Sequence, residues 1–164
     1  MSSREWNSLA DSEREIIVRH QVEYPVKVSR IAIDFGIPVK VASLPPRISG
    51  QLRPDQSESG YIIRINRHEV RPRQRFTIAH EISHYLLHRE HIGEGISDTV
   101  FYRSMLSSKI EAEANRLAAD IIMPSKLIRD AMRKRGLTTL SDSVSILAEL
   151  FEVSEAAMSL RLGV

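Results

Sequence analysis

The chain has 164 residues, a length that fits one domain of ordinary size. It is 42% hydrophobic and 27% charged, which excludes the disordered and collagen-like classes. Because it has no cysteine, a disulfide framework is excluded and any metal has to be held by histidine or carboxylate. The net charge of +2 is too small to indicate nucleic acid. With no secretory or membrane-spanning pattern in the sequence, we expect a cytoplasmic protein.

The hydrophobic pattern of the first half predicts helices followed by a small sheet. We expect one N-terminal helix over 5–22, within a helical extension that covers 1–24, and a short helix over 28–37 that stops at Gly36. β-branched and apolar residues then predict strands at 39–43, 48–52 and 61–66. These strands are expected to form a short, mainly antiparallel sheet.

The second half of the chain is predicted to be helical. From Arg73 to about Arg89 apolar residues recur at helical spacing, which makes this helix the most regular in the sequence. After a loop over 91–104, a second long helix is expected from about Ser107 to Met123. Shorter helices over 125–135 and 141–162 follow, the latter as a C-terminal helix pair within 136–164. The whole chain, 1–164, is therefore expected to form a single α+β domain.

A metal-binding motif stands in the regular helix, where residues 80–84 read H-E-x-x-H. Histidines at positions i and i+4 share a helical face with Cβ atoms about 5–6 Å apart, so both imidazoles can reach one zinc ion. Glu81 then lies beside the ion and can take a proton from a water that the metal has made acidic. The motif predicts His80 and His84 as zinc ligands and Glu81 as the catalytic base of a peptidase.

A catalytic zinc needs a third protein ligand, which here has to be histidine or carboxylate. A metzincin-type extension, H-E-x-x-H-x-x-G-x-x-H, is excluded because its last glycine and histidine positions are Leu87 and Glu90. His88 shares the helical face but lies about two turns beyond His80, roughly 12 Å along the axis, which is too far for one ion. We interpret His88 as a polar residue at the edge of the helix.

The second long helix offers two carboxylates, which its periodicity separates. Glu113 falls on a flank with Arg116 and Asp120 that is expected to be solvated. Glu111 and Asn115 lie four residues apart on the other, partly apolar flank, where a carboxylate needs a partner. A metal would be that partner, and Asn115 would hydrogen-bond one of the other ligands. The argument favours Glu111 as the third ligand and keeps Glu113 as the alternative.

Two long motifs occur in order along the chain: RFTIAHEISHYLLH over 75–88 and EAEANRLAADIIMP over 111–124. They are preceded by PVKVSRIAIDFGIPV and by the strand YIIRIN. From about Pro25 to about Leu162, the chain thereby resembles the ImmA/IrrE family of zinc metallopeptidases. The resemblance implies a small zincin-like core, with the sheet beside the H-E-x-x-H helix and additional C-terminal helices.

The same resemblance implies an endopeptidase activity and one Zn²⁺ per chain. It implies His80 and His84 as ligands, Glu81 as the base and a third carboxylate in the E-x-E-A-N segment, where both candidates lie. Characterised members of the family cut helix-turn-helix repressors, usually encoded beside them, and so relieve repression during stress. We therefore expect a protein substrate of that kind.

A DNA-binding regulator is the alternative function. The segment over 147–162 is predicted to form two short helices around a tight turn, as in a helix-turn-helix unit. Between Gly136 and Val164, however, Arg161 is the only basic residue, against four acidic ones. Such a balance is unfavourable for contact with phosphates, so we do not expect nucleic acid as a partner.

Two further features are candidates for contact with the substrate. The strand over 61–66 is predicted to pair with an extended substrate as an added strand. A cluster of basic residues precedes the metal helix and is expected to be a solvated face that can attract an acidic substrate segment. The cluster consists of Arg64, Arg67, Arg71, Arg73 and Arg75.

Overall fold

The computed structural model describes residues 2–92 and 108–164. Within this part, eight α-helices accompany a three-stranded sheet, which confirms the predicted α+β class. In chain order the elements are α1 (Arg4–Ser8), α2 (Asp11–Arg19), α3 (Val28–Asp34), β1 (Val39–Ala42), β2 (Gly50–Pro54), β3 (Tyr61–Asn66), α4 (Arg71–Leu87), a 3₁₀ turn (Arg89–His91), α5 (Ser108–Ile122), α6 (Ser125–Arg135), α7 (Leu140–Phe151) and α8 (Glu155–Leu162). The loop predicted over 91–104 lies almost wholly outside the described residues.

The N-terminal helical segment is divided, so the single helix expected over 5–22 is wrong. The backbone of Leu9 and Ala10 is extended and separates α1 from α2. The Ser3 side chain caps α1 by accepting a hydrogen bond from the Trp6 N–H at 3.1 Å. The apolar residues keep approximately helical spacing across the break, so periodicity alone does not reveal it.

The sheet has the strand order β1-β3-β2 and is mixed rather than mainly antiparallel. β2 runs antiparallel to β3, whereas β1 runs parallel to it, and Ile63 of β3 lies between Val39 and Leu52 of its neighbours. Apolar residue patterns predict strands but not their direction. Because both edges of β3 are already paired, the prediction that β3 pairs with an extended substrate is wrong.

The H-E-x-x-H helix, α4, packs against the sheet. Pro72 lies in its first turn, where a proline costs no helical hydrogen bond. Ile63 and Leu52 of the sheet and Ile82 of α4 are buried in the common core. β2 lies close to the helix at Gly50, where a Cβ atom would collide with Cγ2 of Thr77. Glycine at this position therefore lets β2 lie directly beside the helix that carries the motif.

The C-terminal helix pair, α7 and α8, is fastened to the rest of the protein by two arginines. Arg75 of α4 is 9% exposed and donates to the carbonyl oxygens of Val26 at 2.9 Å and Glu152 at 3.3 Å. Arg161 of α8 donates to Asp120 of α5 at 2.7 Å. Arg75 is thus a buried structural residue and not part of a solvated basic face. None of the helices in the described ranges is long and apolar enough to span a membrane.

Candidate metal centre

Two helices bring the predicted metal ligands together. His80 and His84 share one face of α4, and their Nε2 atoms are 3.0 Å apart. The Glu111 carboxylate of α5 lies across from them, with one oxygen 3.2 Å from Nε2 of His80 and the other 3.2 Å from Nε2 of His84. One ligand atom from each residue can be chosen so that all lie within 4.8 Å of one another. In the described ranges these residues form a group that could hold a metal ion.

The chemistry of Glu111 fits a bound cation. Its Oε1 atom is buried and has no hydrogen-bond partner, although His84 is near. An orphaned buried acceptor is costly unless a cation or donor satisfies it. The imidazoles of His80 and then His84 hold the pKa of the Glu111 carboxyl well below its usual range, so the group is ionised at neutral pH.

Asn115 lies where the sequence argument put it, one helical turn after Glu111 on α5. Its Oδ1 atom is 2.9 Å from Nδ1 of His80. When the Nδ1 proton of His80 is donated to this oxygen, the lone pair of Nε2 points towards Glu111 and His84. The amide therefore fixes the ring orientation that metal binding requires.

Glu81, the predicted base, follows His80 in α4 and is 2% exposed. It is the residue next to the candidate ligand His80, and its burial shields the carboxylate from bulk solvent.

Glu113 does not belong to the metal-binding group. Its Oε2 atom lies 3.1 Å from Nε2 of His88, and its Oε1 atom accepts a hydrogen bond from Arg4 of α1 at 3.2 Å. The His88 hydrogen bond lowers the pKa of the Glu113 carboxyl. Glu113 thus faces a different histidine from Glu111.

The interpretation of His88 as a polar edge residue is wrong. His88 is 6% exposed, and its Nδ1 atom lies 3.0 Å from Nδ1 of His84. Burial lowers the pKa of His88, against the opposing effect of its hydrogen bond to Glu113. A signal was present in the sequence, because His88 follows His84 at the same i, i+4 spacing that relates His84 to His80.

The flank of α5 that carries Arg116 and Asp120 is only partly solvated: Arg116 is exposed as expected, but Asp120 is buried. Arg116 donates to the buried Glu5 of α1 at 2.7 Å. Asp120 is 3% exposed and accepts hydrogen bonds from Arg161 and from the backbone N–H of Ser3, both at 2.7 Å. The periodicity of α5 could not reveal this burial, because α1 and α8 cover the flank from the two ends of the chain.

The basic cluster ahead of α4 is divided in the structure. Arg75 is buried as described, and Arg71 pairs with Glu152 at 2.8 Å. Arg73 donates to the Ser49 hydroxyl at 3.3 Å. The expected solvated face is therefore wrong for Arg75, whereas Arg67, Arg71 and Arg73 are exposed.

An open cavity of about 550 Å³ lies beside the candidate metal centre. Asn115, which contacts His80, forms part of its wall, together with Phe76 one turn before His80 and Ala119 one turn after Asn115. Leu160 of α8, which is 85% exposed, lines it as well. Arg116 and Arg161 also line the cavity, whereas His80, His84 and Glu111 are not among its lining residues.

Comparison with known proteins assigns the chain to one family. Residues 32–163 match the peptidase M78 family model, described as the IrrE N-terminal-like domain. The chain belongs to this family. The match covers the sheet, the H-E-x-x-H helix and all helices that follow it, and it confirms the resemblance to ImmA and IrrE metallopeptidases predicted from the two motifs.

Two curated relatives share the family's sequence features. The metallopeptidase ImmA of Bacillus subtilis (strain 168) is 32% identical over 84 residues, which cover 51% of this chain and 47% of ImmA. The radiation response metalloprotease IrrE of Deinococcus deserti is 42% identical over 83 residues, 48% of this chain and 28% of IrrE. These matches thus span less than half the length of either relative.

A solved structure supports the fold. A Mycobacterium tuberculosis transcriptional regulator superposes with a TM-score of 0.59 over 96% of this chain and 48% of its own, at 16% identity. At that identity the similarity concerns the fold alone.

Proposed function

We propose that the protein is a zinc-dependent endopeptidase in which His80, His84 and Glu111 hold the ion and Glu81 is the general base. The observation that carries the proposal is the convergence of three potential ligand atoms within 4.8 Å on two packed helices. Two imidazole nitrogens and one carboxylate oxygen are a donor set of catalytic zinc sites, which keep a further position for water. Membership of a metallopeptidase family supports the same conclusion.

Each residue has its own part in peptide hydrolysis. A zinc ion bound here supplies Lewis acidity, which makes water nucleophilic at neutral pH and polarises the peptide carbonyl. Glu81 accepts the proton that the attacking water loses and delivers it to the leaving nitrogen as the C–N bond breaks. The Oδ1 atom of Asn115 accepts a hydrogen bond from Nδ1–H of His80 and so keeps Nε2 of His80 directed at the ion.

The cavity beside Asn115 is suited to one side chain of the substrate. Its wall includes Phe76, Ala119 and Leu160. The two arginines that also line it, Arg116 and Arg161, are already paired with Glu5 and Asp120, so the cavity favours an apolar group over a charged one. Because Asn115 also contacts His80, a side chain in this cavity belongs to a residue close to the hydrolysed bond. We infer a preference for a large apolar residue next to the cleavage site.

We further propose a helix-turn-helix repressor as the substrate, and the support for it is the resemblance to the ImmA/IrrE family. The alternative, a DNA-binding regulator, depends on the C-terminal helix pair. Arg161 is the only basic residue between Gly136 and Val164, and its side chain is 12% exposed because it pairs with Asp120. Residues 136–164, all of which the structure describes, therefore offer no free cation to a phosphate backbone.

The decisive experiment compares the wild type with Glu81→Gln, which keeps size and hydrogen bonding but removes the proton acceptor. Both proteins should bind zinc with the same affinity. With zinc and the repressor encoded beside its gene, the wild type should produce discrete fragments, and the variant should cleave at least about 100-fold more slowly. Cleavage at equal rates would exclude Glu81 as the base. Specific duplex binding by the zinc-free protein, without cleavage, would favour the DNA-binding alternative.

A further inference from the structure

A buried row of hydrogen bonds leads from His84 away from the candidate metal centre. Nδ1 of His84 lies 3.0 Å from Nδ1 of His88, and Nε2 of His88 lies 3.1 Å from Oε2 of Glu113. The His88 side chain is 7% exposed and that of Glu113 19%, so solvent competes little for these contacts. Arg4 of α1 holds the other oxygen of Glu113 at 3.2 Å.

The protons of this row can be placed in one way when His84 binds a metal. A ligand nitrogen offers a lone pair, so Nε2 of His84 carries no proton and Nδ1 carries it instead. That proton is donated to Nδ1 of His88, which therefore acts as an acceptor. The single proton of neutral His88 is then on Nε2, where the Glu113 carboxylate accepts it. Each group in the row has the partner that this arrangement requires.

Loss of this row would change which ring nitrogens of His88 and His84 carry protons. Without the Glu113 carboxylate, the proton of His88 loses the acceptor that favours Nε2 over Nδ1. A proton on Nδ1 of His88 would face Nδ1 of His84 and drive the proton of His84 onto Nε2, the atom that faces Glu111. A protonated Nε2 cannot bind a metal.

We propose that His88 and Glu113 are positioning residues that hold His84 in its metal-binding tautomer and orientation. His88 is not a fourth ligand, since both of its ring nitrogens are engaged by His84 and Glu113. The proposal rests on the proposed function, because it requires a metal at His80, His84 and Glu111. His88 would thus orient His84 through a hydrogen bond, as Asn115 orients His80.

The test measures zinc affinity by competition with a chromophoric chelator and the thermal unfolding of the metal-free protein. His88→Phe keeps the ring and removes both hydrogen bonds, and it should weaken zinc binding about 10–100-fold. His88→Asn keeps an acceptor near the position of Nδ1 but cannot reach Glu113, so its affinity should lie between those of His88→Phe and the wild type. His68→Phe is the matched control at an exposed position and should leave the affinity unchanged.

Glu113→Gln is an independent test. It leaves the metal helix intact and replaces a carboxylate, which can only accept a hydrogen bond, with an amide that can also donate one and so no longer fixes the His88 proton on Nε2. It should weaken zinc binding without lowering the unfolding temperature of the metal-free protein by more than His68→Phe does. A purely structural role for the row predicts the reverse, in which the metal-free protein loses stability and the folded fraction binds zinc normally. That result would overturn the proposal.

The outcomes separate this proposal from the proposed function. A wild type that binds no zinc overturns both. A wild type that binds zinc tightly, together with His88→Phe and Glu113→Gln variants that bind it equally well, overturns only the positioning role. If His88→Phe fails to fold, His88→Asn and Glu113→Gln decide the question in the same assay.

Discussion

Glu111 and Glu113 lie two residues apart on α5, yet their carboxylates face different histidines. The two carboxylate oxygens of Glu111 lie 3.2 Å from Nε2 of His80 and of His84, whereas one carboxylate oxygen of Glu113 lies 3.1 Å from Nε2 of His88. His88 follows the last residue of α4 and lies four residues after His84, so the two carboxylates contact the last turn of α4 and the residue directly after it. Glu111 is therefore a candidate metal ligand, whereas Glu113 contacts a histidine that in turn contacts a ligand.

The first prediction follows from this division. Glu111→Ala removes one of the three atoms that converge on the candidate site, so zinc affinity should fall by more than the 10–100-fold that loss of an outer partner typically causes. Glu113→Ala should cause a loss within that range. Chelator competition on the folded variants measures both. If Glu113→Ala is the worse lesion, Glu111 is not the third ligand.

The parts of the site that share one helix were predictable from sequence. The H-E-x-x-H spacing places His80 and His84 together, and the periodicity of α5 separates Glu111 and Asn115 from Glu113. These inferences need only the helical repeat, which the local sequence determines. The structure accordingly brings Glu111 and Asn115 to the two histidines.

The parts that depend on distant segments were not predictable. The burial of Asp120 depends on α8, the pairing of Arg116 with Glu5 depends on α1, and the central place of β3 comes from a chain crossing. No local pattern reports which segment covers a flank or which strand lies in the middle. His88 is the exception. Its i, i+4 spacing from His84 predicts contact between the two rings, although its distance from His80 excludes it as a ligand of the same ion.

The second prediction concerns acid stability. Glu5 is 4% exposed, and hydrogen bonds from Arg116, aided by Arg4, lower its pKa to about 2 from the ordinary value of 4.5. Because the folded pKa is the lower one, the unfolded chain binds more protons between these values, and this stabilisation is lost as pH falls from about 4.5 towards 2. The two pKa values correspond to about 3 kcal/mol above pH 4.5, which the solvent exposure of Arg116 and Arg4 reduces to about 2 kcal/mol.

Glu5→Gln tests this pH dependence through urea unfolding at several pH values. The variant should be less stable than the wild type by about 2 kcal/mol at pH 7, and the difference should vanish near pH 2. Glu58→Gln, at an exposed loop position, is the control and should show no such convergence. A difference that persists unchanged to pH 2 would assign the stabilisation to packing rather than to the charge of Glu5.

The third prediction concerns the contact between β2 and α4. A Cβ atom at Gly50 would lie 2.4 Å from Cγ2 of Thr77 and 3.0 Å from the carbonyl oxygen of Arg64. Gly50→Ala should therefore lower the free energy of unfolding by about 1–3 kcal/mol through overpacking. Thr77→Ala removes the nearest atom, so the double variant should recover part of that loss. Strictly additive effects in the double-mutant cycle would show that the two positions do not collide.

The last prediction concerns the cavity beside Asn115. Ala119→Leu adds bulk to its wall one helical turn from Asn115, while the residues around the candidate metal site stay unchanged. Zinc affinity should therefore equal that of the wild type, and cleavage of a mixed peptide library should shift from large to small apolar residues next to the hydrolysed bond. One methylene in an apolar pocket is worth about 1–3 kcal/mol of discrimination, so the shift should be at least about tenfold.

Ala112→Leu, on the same helix and not among the residues that line the cavity, is the matched control and should keep the wild-type cleavage profile. An unchanged profile for Ala119→Leu, with normal zinc binding, would show that the substrate side chain occupies a different pocket.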